Sequence, residues 1–368
     1  GNTTSMNLNS ELDKILDFQK IYTLKKVKKT EHLTNYFNLL TKHHYQNCSN
    51  YRNILNKFNY SPQKKYKIND LPFIPVSIFK NLSLSSIKKG EISRIMYSSG
   101  TTGAKKSKIF LDKKNSINQI KALNKVFYEM TELKNQRLPM LIIDKNILNN
   151  KNEAFSARAA AITGFSIFSS ERVYALNDDM SLNYLTIQSF LKKNEGKQKL
   201  IFGLTALIWE NFLKDKKLRD LKLNFKNTIM LHGGGWKKLE EKKINNSIFK
   251  NEIKKILNID FIINYYGMIE QTGSIFFECE KCNNFVTSIY SDIIIRDTYL
   301  NDAGFHKKGM IQLLSVLPTS YPGHNILTED IGMILGEDDC VCGKMGKRFK
   351  VFGRLKKSEV RGCSDAIS

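Results

Sequence analysis

The apolar positions of the first sixty residues recur at helical spacing: Leu12, Ile15, Leu16 and Phe18, then Leu33, Tyr36, Phe37 and Leu40. That period predicts helices across residues 7–60. The run Leu71-Pro72-Phe73-Ile74-Pro75 ends them, because a residue preceding proline is pushed out of the helical region. From about residue 95 the pattern changes. Runs rich in β-branched and aromatic residues predict strands at Ile92–Tyr97, Met140–Asp144, Lys199–Gly203, Thr228–His232, Phe261–Tyr265, Asp292–Arg296 and Met310–Val316. Amphipathic stretches such as Ser116–Glu129 and Tyr184–Lys193 lie between them. This alternation predicts an α/β fold with a largely parallel sheet. The last segment, Phe349–Ser368, begins as a strand and ends as a polar tail. The chain carries no internal repeat and no low-complexity segment.

A chain of 368 residues accommodates one large or two unequal domains, and its 41% hydrophobic and 25% charged residues suit a soluble protein with a sizeable core. The most apolar stretch, Ala154 to Phe168, is too short to span a bilayer and holds Arg158 and Gly164. No secretory leader precedes the helices, and Gly1 to Ser5 read as a cloning remnant ahead of Met6, so a cytoplasmic location is expected. The net charge of +23 admits nucleic acid, an acidic membrane surface or anionic small molecules as partners. The lysines are dispersed, however, as at Lys25, Lys26, Lys28, Lys29, Lys216, Lys217, Lys254 and Lys255. No zinc-finger, RRM or helix-turn-helix signature accompanies them, so the excess reads as compositional bias and no nucleic-acid partner is expected. The six cysteines should stay reduced, which favours metal binding or chemistry over a disulfide frame.

The densest motif is Ser98-Ser99-Gly100-Thr101-Thr102-Gly103-Ala104-Lys105-Lys106-Ser107. Gly100 and Gly103 let backbone N–H groups turn towards a phosphate, the hydroxyls add donors, and Lys106 adds charge. The spacing is not that of a Walker A loop. His232-Gly233-Gly234-Gly235-Trp236-Lys237 follows a predicted strand and offers bare backbone to a flat ring; a tight turn is the plain alternative. Tyr265-Tyr266-Gly267-Met268-Ile269-Glu270-Gln271 also follows a strand. Two close cysteine pairs, Cys279/Cys282 and Cys340/Cys342, supply four thiolates for a tetrahedral structural Zn²⁺. Four unrelated thiols are the alternative.

The first motif resembles the phosphate loop of the acyl-adenylate-forming enzymes, which include acyl-CoA synthetases, phenylacetate-CoA ligases and the acyl-protein synthetases of bacterial bioluminescence. Further motifs follow in the family order over nearly the whole chain. The resemblance implies that Ser98, Ser99, Gly100, Thr101, Thr102, Gly103 and Lys106 hold the ATP phosphates. It places Gly233, Gly234, Gly235, Tyr266 and Gly267 against adenine, and Mg²⁺ on Glu270. Asp330, in Thr328-Glu329-Asp330-Ile331-Gly332, would accept from the ribose hydroxyls, and Arg354, in Val351-Phe352-Gly353-Arg354, would reach the ribose or phosphate. Ile269, Glu329, Lys356 and Lys357 depart from the usual family residues.

The implied fold is the large N-terminal domain of such an enzyme, with mixed and parallel sheets flanked by helices and without the usual small C-terminal domain. Its expected parts are a helical region over residues 1–90 packing on the core, an α/β core with a zinc knuckle over 91–353, and a hinge remnant with a tail over 354–368. Natural termination is favoured over truncation, because Phe73–Lys80, His43-His44-Tyr45 and the Gly-Gly-Gly-Trp-Lys run look most like the acyl-protein synthetases. The implied activity is adenylation of a carboxylic acid, a fatty acid by resemblance, and transfer to a thiol. Cys363, in Arg361-Gly362-Cys363-Ser364, is the candidate thiol, and the acceptor is a partner protein such as a reductase, transferase or carrier. An acyl- or aryl-CoA ligase using free CoA and a non-catalytic nucleotide-binding protein are the alternative readings.

Overall fold

Leu12, Ile15, Leu33, Tyr36, Phe37, Leu40, Tyr51 and Leu55 are all buried, so the first sixty residues supply the inner faces of three helices. These are α1 (Asn2–Leu16), α2 (Lys26–Asn47) and α3 (Ser49–Lys57). The computed structural model describes residues 2–98, 105–134, 136–149, 156–236 and 239–355. After α3 come β1 (Ile74–Pro75), α4 (Ile78–Asn81), β2 (Arg94–Tyr97), β3 (Lys108–Leu111), α5 (Lys113–Thr131), β4 (Leu138–Ile142), α6 (Ala157–Phe165) and β5 (Ser169–Tyr174). Then follow α7 (Tyr184–Lys193), β6 (Lys199–Leu204), α8 (Thr205–Leu207), α9 (Lys216–Asp220), β7 (Thr228–Gly233), α10 (Asn246–Leu257) and β8 (Phe261–Tyr266). The last strands are β9 (Phe276–Phe277), β10 (Phe285–Val286), β11 (Ser291–Arg296), β12 (Gly309–Ser315), β13 (Asn325–Glu337) and β14 (Lys347–Arg354). The chain divides into two compact units, one of residues 1–132 with 267–368 and the other of residues 133–266.

The second unit contains the parallel sheet, in the order β5-β4-β6-β7-β8. Strands covered on both faces read as continuous apolar runs, and Met140–Ile143, Leu200–Phe202 and Ile229–Leu231 are buried throughout. Helices α7, α9 and α10 bring Ile187, Phe190, Leu218, Phe249 and Ile253 into its core. Their starts are fixed by side-chain caps: Asn183 Oδ1 accepts from Thr186 N–H at 3.1 Å, Asp215 Oδ1 from Leu218 N–H at 2.9 Å and Asn245 Oδ1 from Ile248 N–H at 2.9 Å. Strand β5 has no counterpart among the predicted strands. Its sequence, Ser-Ser-Glu-Arg-Val-Tyr, is that of a half-exposed edge and lacks an apolar run.

The first unit is built differently. Its main sheet runs β10-β14-β13-β12-β11 with antiparallel pairing, and β1 adds to β13 in parallel. The expectation of a largely parallel sheet therefore holds for the second unit, while the first carries a mixed one; both belong to an α/β fold. Strands β2 and β3 form a separate antiparallel hairpin. Asp112 caps α5 by accepting from Asn115 N–H at 2.8 Å. Among the described residues no helix is long and apolar enough to cross a membrane.

Candidate functional site

In the first unit the phosphate-loop motif springs from the β2–β3 hairpin. Tyr97 and Lys108 are register partners, and one step beyond them the chain is clamped. Ser98 N–H donates to the Ser107 carbonyl at 3.1 Å, and Ser107 N–H donates to Ser98 Oγ at 2.8 Å. Ser99, Gly100, Thr101, Thr102 and Gly103 lie outside the described residues. Lys106 is exposed beside the clamp, whereas Ser107 is fully buried. The Ser107 hydroxyl donates to Glu270 Oε1 at 2.9 Å.

Glu270 lies in a single 3-10 turn, Ile269–Gln271, and only 9% of it is exposed. Burial pushes its carboxyl up from the usual range. Its own backbone N–H, the Ser107 hydroxyl and the charges of Lys80 and Arg354 act in the opposite direction. The turn is anchored on both sides. Gln271 Nε2 donates to the Leu313 carbonyl at 2.8 Å, and Thr272 N–H donates to Tyr321 Oη at 3.1 Å. Gly323 lies under this turn, where a Cβ would sit 2.4 Å from the Glu270 carbonyl oxygen.

The same unit brings Asp330 and Arg354 together as register partners across β13 and β14. Asp330 N–H donates to Thr328 Oγ1 at 3.1 Å, and Leu355 N–H donates to the Glu329 carbonyl at 2.8 Å. Gly332 is required here by close approach: an added Cβ would meet Ile311 at 2.6 Å and the Lys350 carbonyl at 2.7 Å. Motifs 24 positions apart in sequence thus form one rung of an antiparallel ladder, and Arg354 contributes to the field at Glu270.

In the second unit, Gly233 closes β7 and two further glycines turn with positive φ, +88° at Gly234 and +79° at Gly235. The space expected for a flat ligand ring at Gly233 is filled by the protein's own Tyr265, whose ring carbon would lie 2.4 Å from an added Cβ. At Gly235 an added Cβ would meet no atom of the described residues within 4 Å. His232 is fully buried, with Nδ1 2.8 Å from Thr205 Oγ1 and its ring 4.4 Å from that of Phe249. Burial, helped by Lys250, holds its imidazole down at about 3, so it is neutral. This is the packing role that a strand-end histidine ordinarily plays. Tyr266 is half-buried in this unit; Gly267 opens the returning segment of the first unit, where a Cβ would meet Ile275 at 2.4 Å. Phe202 and Ile208 are fully buried in the core.

The cysteine pairs come together. Cys279, Cys340 and Cys342 place their sulfurs within 4.8 Å of one another. Cys340 Sγ lies 3.6 Å from Cys279, 3.4 Å from Cys282 and 2.9 Å from Cys342. A tetrahedral Zn–S site has sulfur–sulfur edges of roughly 3.8 Å, so a cluster of this size can hold a metal. The Cys282 hydrogen bond draws the Cys279 thiol down, whereas burial and its neighbours push Cys340 up. Cys363 lies outside the described residues.

Ser107, Lys80 and Tyr321 were assigned no separate role in the sequence. Ser107 stood inside the quoted motif, and only its burial against Glu270 distinguishes it from the other hydroxyls.

The sequence profile of the family described as acyl-protein synthetase, LuxE, matches residues 3–368. A long-chain-fatty-acid–luciferin-component ligase of Vibrio harveyi is 21% identical over 315 residues, covering 82% of this chain and 78% of that protein. Its counterpart in Aliivibrio fischeri is 22% identical over 312 residues, covering 81% and 78%. Among solved structures, an open conformation of 2-hydroxyisobutyryl-CoA ligase in complex with 2-HIB-AMP and CoA superposes with a TM-score of 0.72 at 12% identity, covering 91% of this chain and 77% of that one. At that identity the likeness establishes the fold. With the profile spanning the chain, and its ligase relatives covering most of it, the chain belongs to the acyl-protein synthetase family.

Proposed function

We propose that this ligase activates a fatty acid with ATP and Mg²⁺ as an acyl-adenylate and passes the acyl group to a thiol for delivery to a partner protein. The observation that carries the reading is Glu270, a buried carboxylate tied through Ser107 to the stem of the phosphate loop and lying in the field of Arg354. The carboxylate supplies oxygen, the donor Mg²⁺ takes, and a carboxylate whose ionisation is opposed by burial gains most from an adjacent cation. When bound, the ion neutralises phosphate charge.

The chain's own residues align and stabilise. A substrate carboxylate oxygen attacks the α-phosphorus, the bond to the β-phosphate bridge breaks, and pyrophosphate leaves. Lys106 and the loop from Ser98 to Gly103 hold the phosphates; Asp330 accepts from the ribose and Arg354 reaches the ribose or phosphate. Within the second unit, Gly235 rather than Gly233 supplies open backbone for a flat ring. In the second half-reaction the Cys363 thiolate, its proton lost to solvent, attacks the acyl carbon and AMP leaves. The positive charge of Arg361 beside it in sequence favours the thiolate.

The metal of the cysteine cluster is Zn²⁺ in a structural role, held by Cys279, Cys282, Cys340 and Cys342. Three of these sulfurs lie within 4.8 Å of one another, and the fourth, Cys282, lies 3.4 Å from Cys340; this soft donor set supports the reading. It joins the turn after β9 to the segment entering β14.

The test is incubation with ATP, Mg²⁺ and a labelled fatty acid. Hydroxylamine-sensitive label on wild type, absent in Cys363→Ser, is expected. Equal labelling of that variant would overturn the role of Cys363, and label appearing only on added CoA would make CoA the acceptor.

A further inference from the structure

The phosphate-loop motif and the Glu270 turn are 163 residues apart in sequence, yet one side chain joins them. Ser107 occupies the last position of the loop motif. Its backbone closes the loop stem in both directions, through Ser98 N–H at 3.1 Å and Ser98 Oγ at 2.8 Å. Its hydroxyl, with no exposed surface, donates at 2.9 Å to Glu270 Oε1. A hydroxyl has one proton to give, and here it is committed to the carboxylate. Among the described residues the turn that carries Glu270 is held by its neighbours, Gln271 and Thr272, and the carboxylate also accepts from its own backbone N–H.

We infer that Ser107 is a positioning residue that locks the Glu270 carboxylate to the phosphate-loop stem, so that cation and phosphates are met by a single rigid element. This rests on the reading of Glu270 as the Mg²⁺ ligand. A hydrogen bond to an ionised carboxylate is strong and directional and becomes stronger away from water. With Oε1 held, rotation about the terminal carboxylate torsion is restricted and the second oxygen would be left for a cation. Serine suits the place on steric grounds as well. The site is closed, and the residue must supply both a backbone that continues into β3 and a short donor. Alanine removes the donor; cysteine fills the same volume with a weak one; threonine keeps the hydroxyl.

The distinguishing quantity is the gain in ATP affinity conferred by Mg²⁺, measured by calorimetry as the ratio of Kd in EDTA to Kd in Mg²⁺. In wild type this ratio is expected to be large. In both Ser107→Ala and Ser107→Cys it should fall by about tenfold, the loss expected for one hydrogen bond to a charged group. Binding of metal-free ATP should stay within about twofold, and Ser107→Thr should restore most of the ratio. A role confined to filling space gives another pattern: metal-free ATP weakens as much as Mg·ATP, cysteine rescues, and threonine is the worst variant. That pattern, or an unchanged ratio in the alanine and cysteine variants, would overturn the inference. Should alanine fail to fold, the near-isosteric cysteine variant decides alone. A wild-type chain with no Mg²⁺-dependent gain would overturn the Mg²⁺ assignment itself, and the inference with it.

Discussion

Asp330 stands opposite Arg354 across β13 and β14, paired in register at the end of the first unit's main sheet. A shift of one residue would turn both side chains to the other face, so the pairing is specified by the whole ladder. Gly332 secures it, because its bare backbone admits Ile311 and the Lys350 carbonyl.

The pair should act as one ribose-holding unit. Asp330→Asn and Arg354→Ala are each expected to raise the KM for ATP by about tenfold, equivalent to about 1.4 kcal/mol. The double variant should lose less than the product of the two, because the residues share a ligand. Strict multiplicativity in steady-state exchange kinetics would show that the two act independently.

The cysteine cluster should hold one Zn²⁺ per chain. Metal analysis of protein prepared without immobilised-metal columns is the measurement. Cys340 is the choice for substitution, because its sulfur contacts the other three. Cys340→Ser should lose most of the zinc and melt several degrees lower. Zinc well below one equivalent in wild type, with no further loss in the variant, would leave the four as unrelated thiols.

Stability should fall on acidification through a defined window. His232 and His324 are fully buried, and burial drives both imidazoles down to about 3 from 6.5. Below about pH 6.5 the unfolded chain binds protons that the folded chain refuses. The associated loss therefore begins near pH 6.5, grows as pH falls and levels off near pH 3. Each histidine contributes about 1.4 kcal/mol per pH unit in that window. His324→Gln, which retains a partner for Thr41 Oγ1, should flatten the decline in urea midpoint between pH 6 and 5. An identical slope in variant and wild type would assign the acid sensitivity elsewhere.

The parallel strands were legible because buried runs such as Ile229–Leu231 have no solvent face to interrupt them. The first helices were legible from their period. Strand β5 was not, since half of an edge strand faces solvent and Ser-Ser-Glu-Arg reads as loop. The Ser98–Ser107, Thr328–Gly332 and Glu270 motifs were legible as residue types in order. Their assembly was not: the bond between Ser107 and Glu270 spans 163 residues, and nothing local marks Ser107 among the neighbouring hydroxyls. The ring over Gly233 was likewise hidden, because three glycines in a row announce space without saying that Tyr265 fills part of it.

The central claim is adenylation of a carboxylic acid, and its most direct measurement is exchange of labelled pyrophosphate into ATP. Wild-type protein, Mg²⁺ and a panel of fatty acids without CoA should give acid-dependent exchange. Lys106→Ala and Glu270→Ala should each lower it by at least about tenfold, the effect of losing one preorganised charge contact. Exchange absent from the wild type with every acid, or undiminished in both variants, would contradict the account.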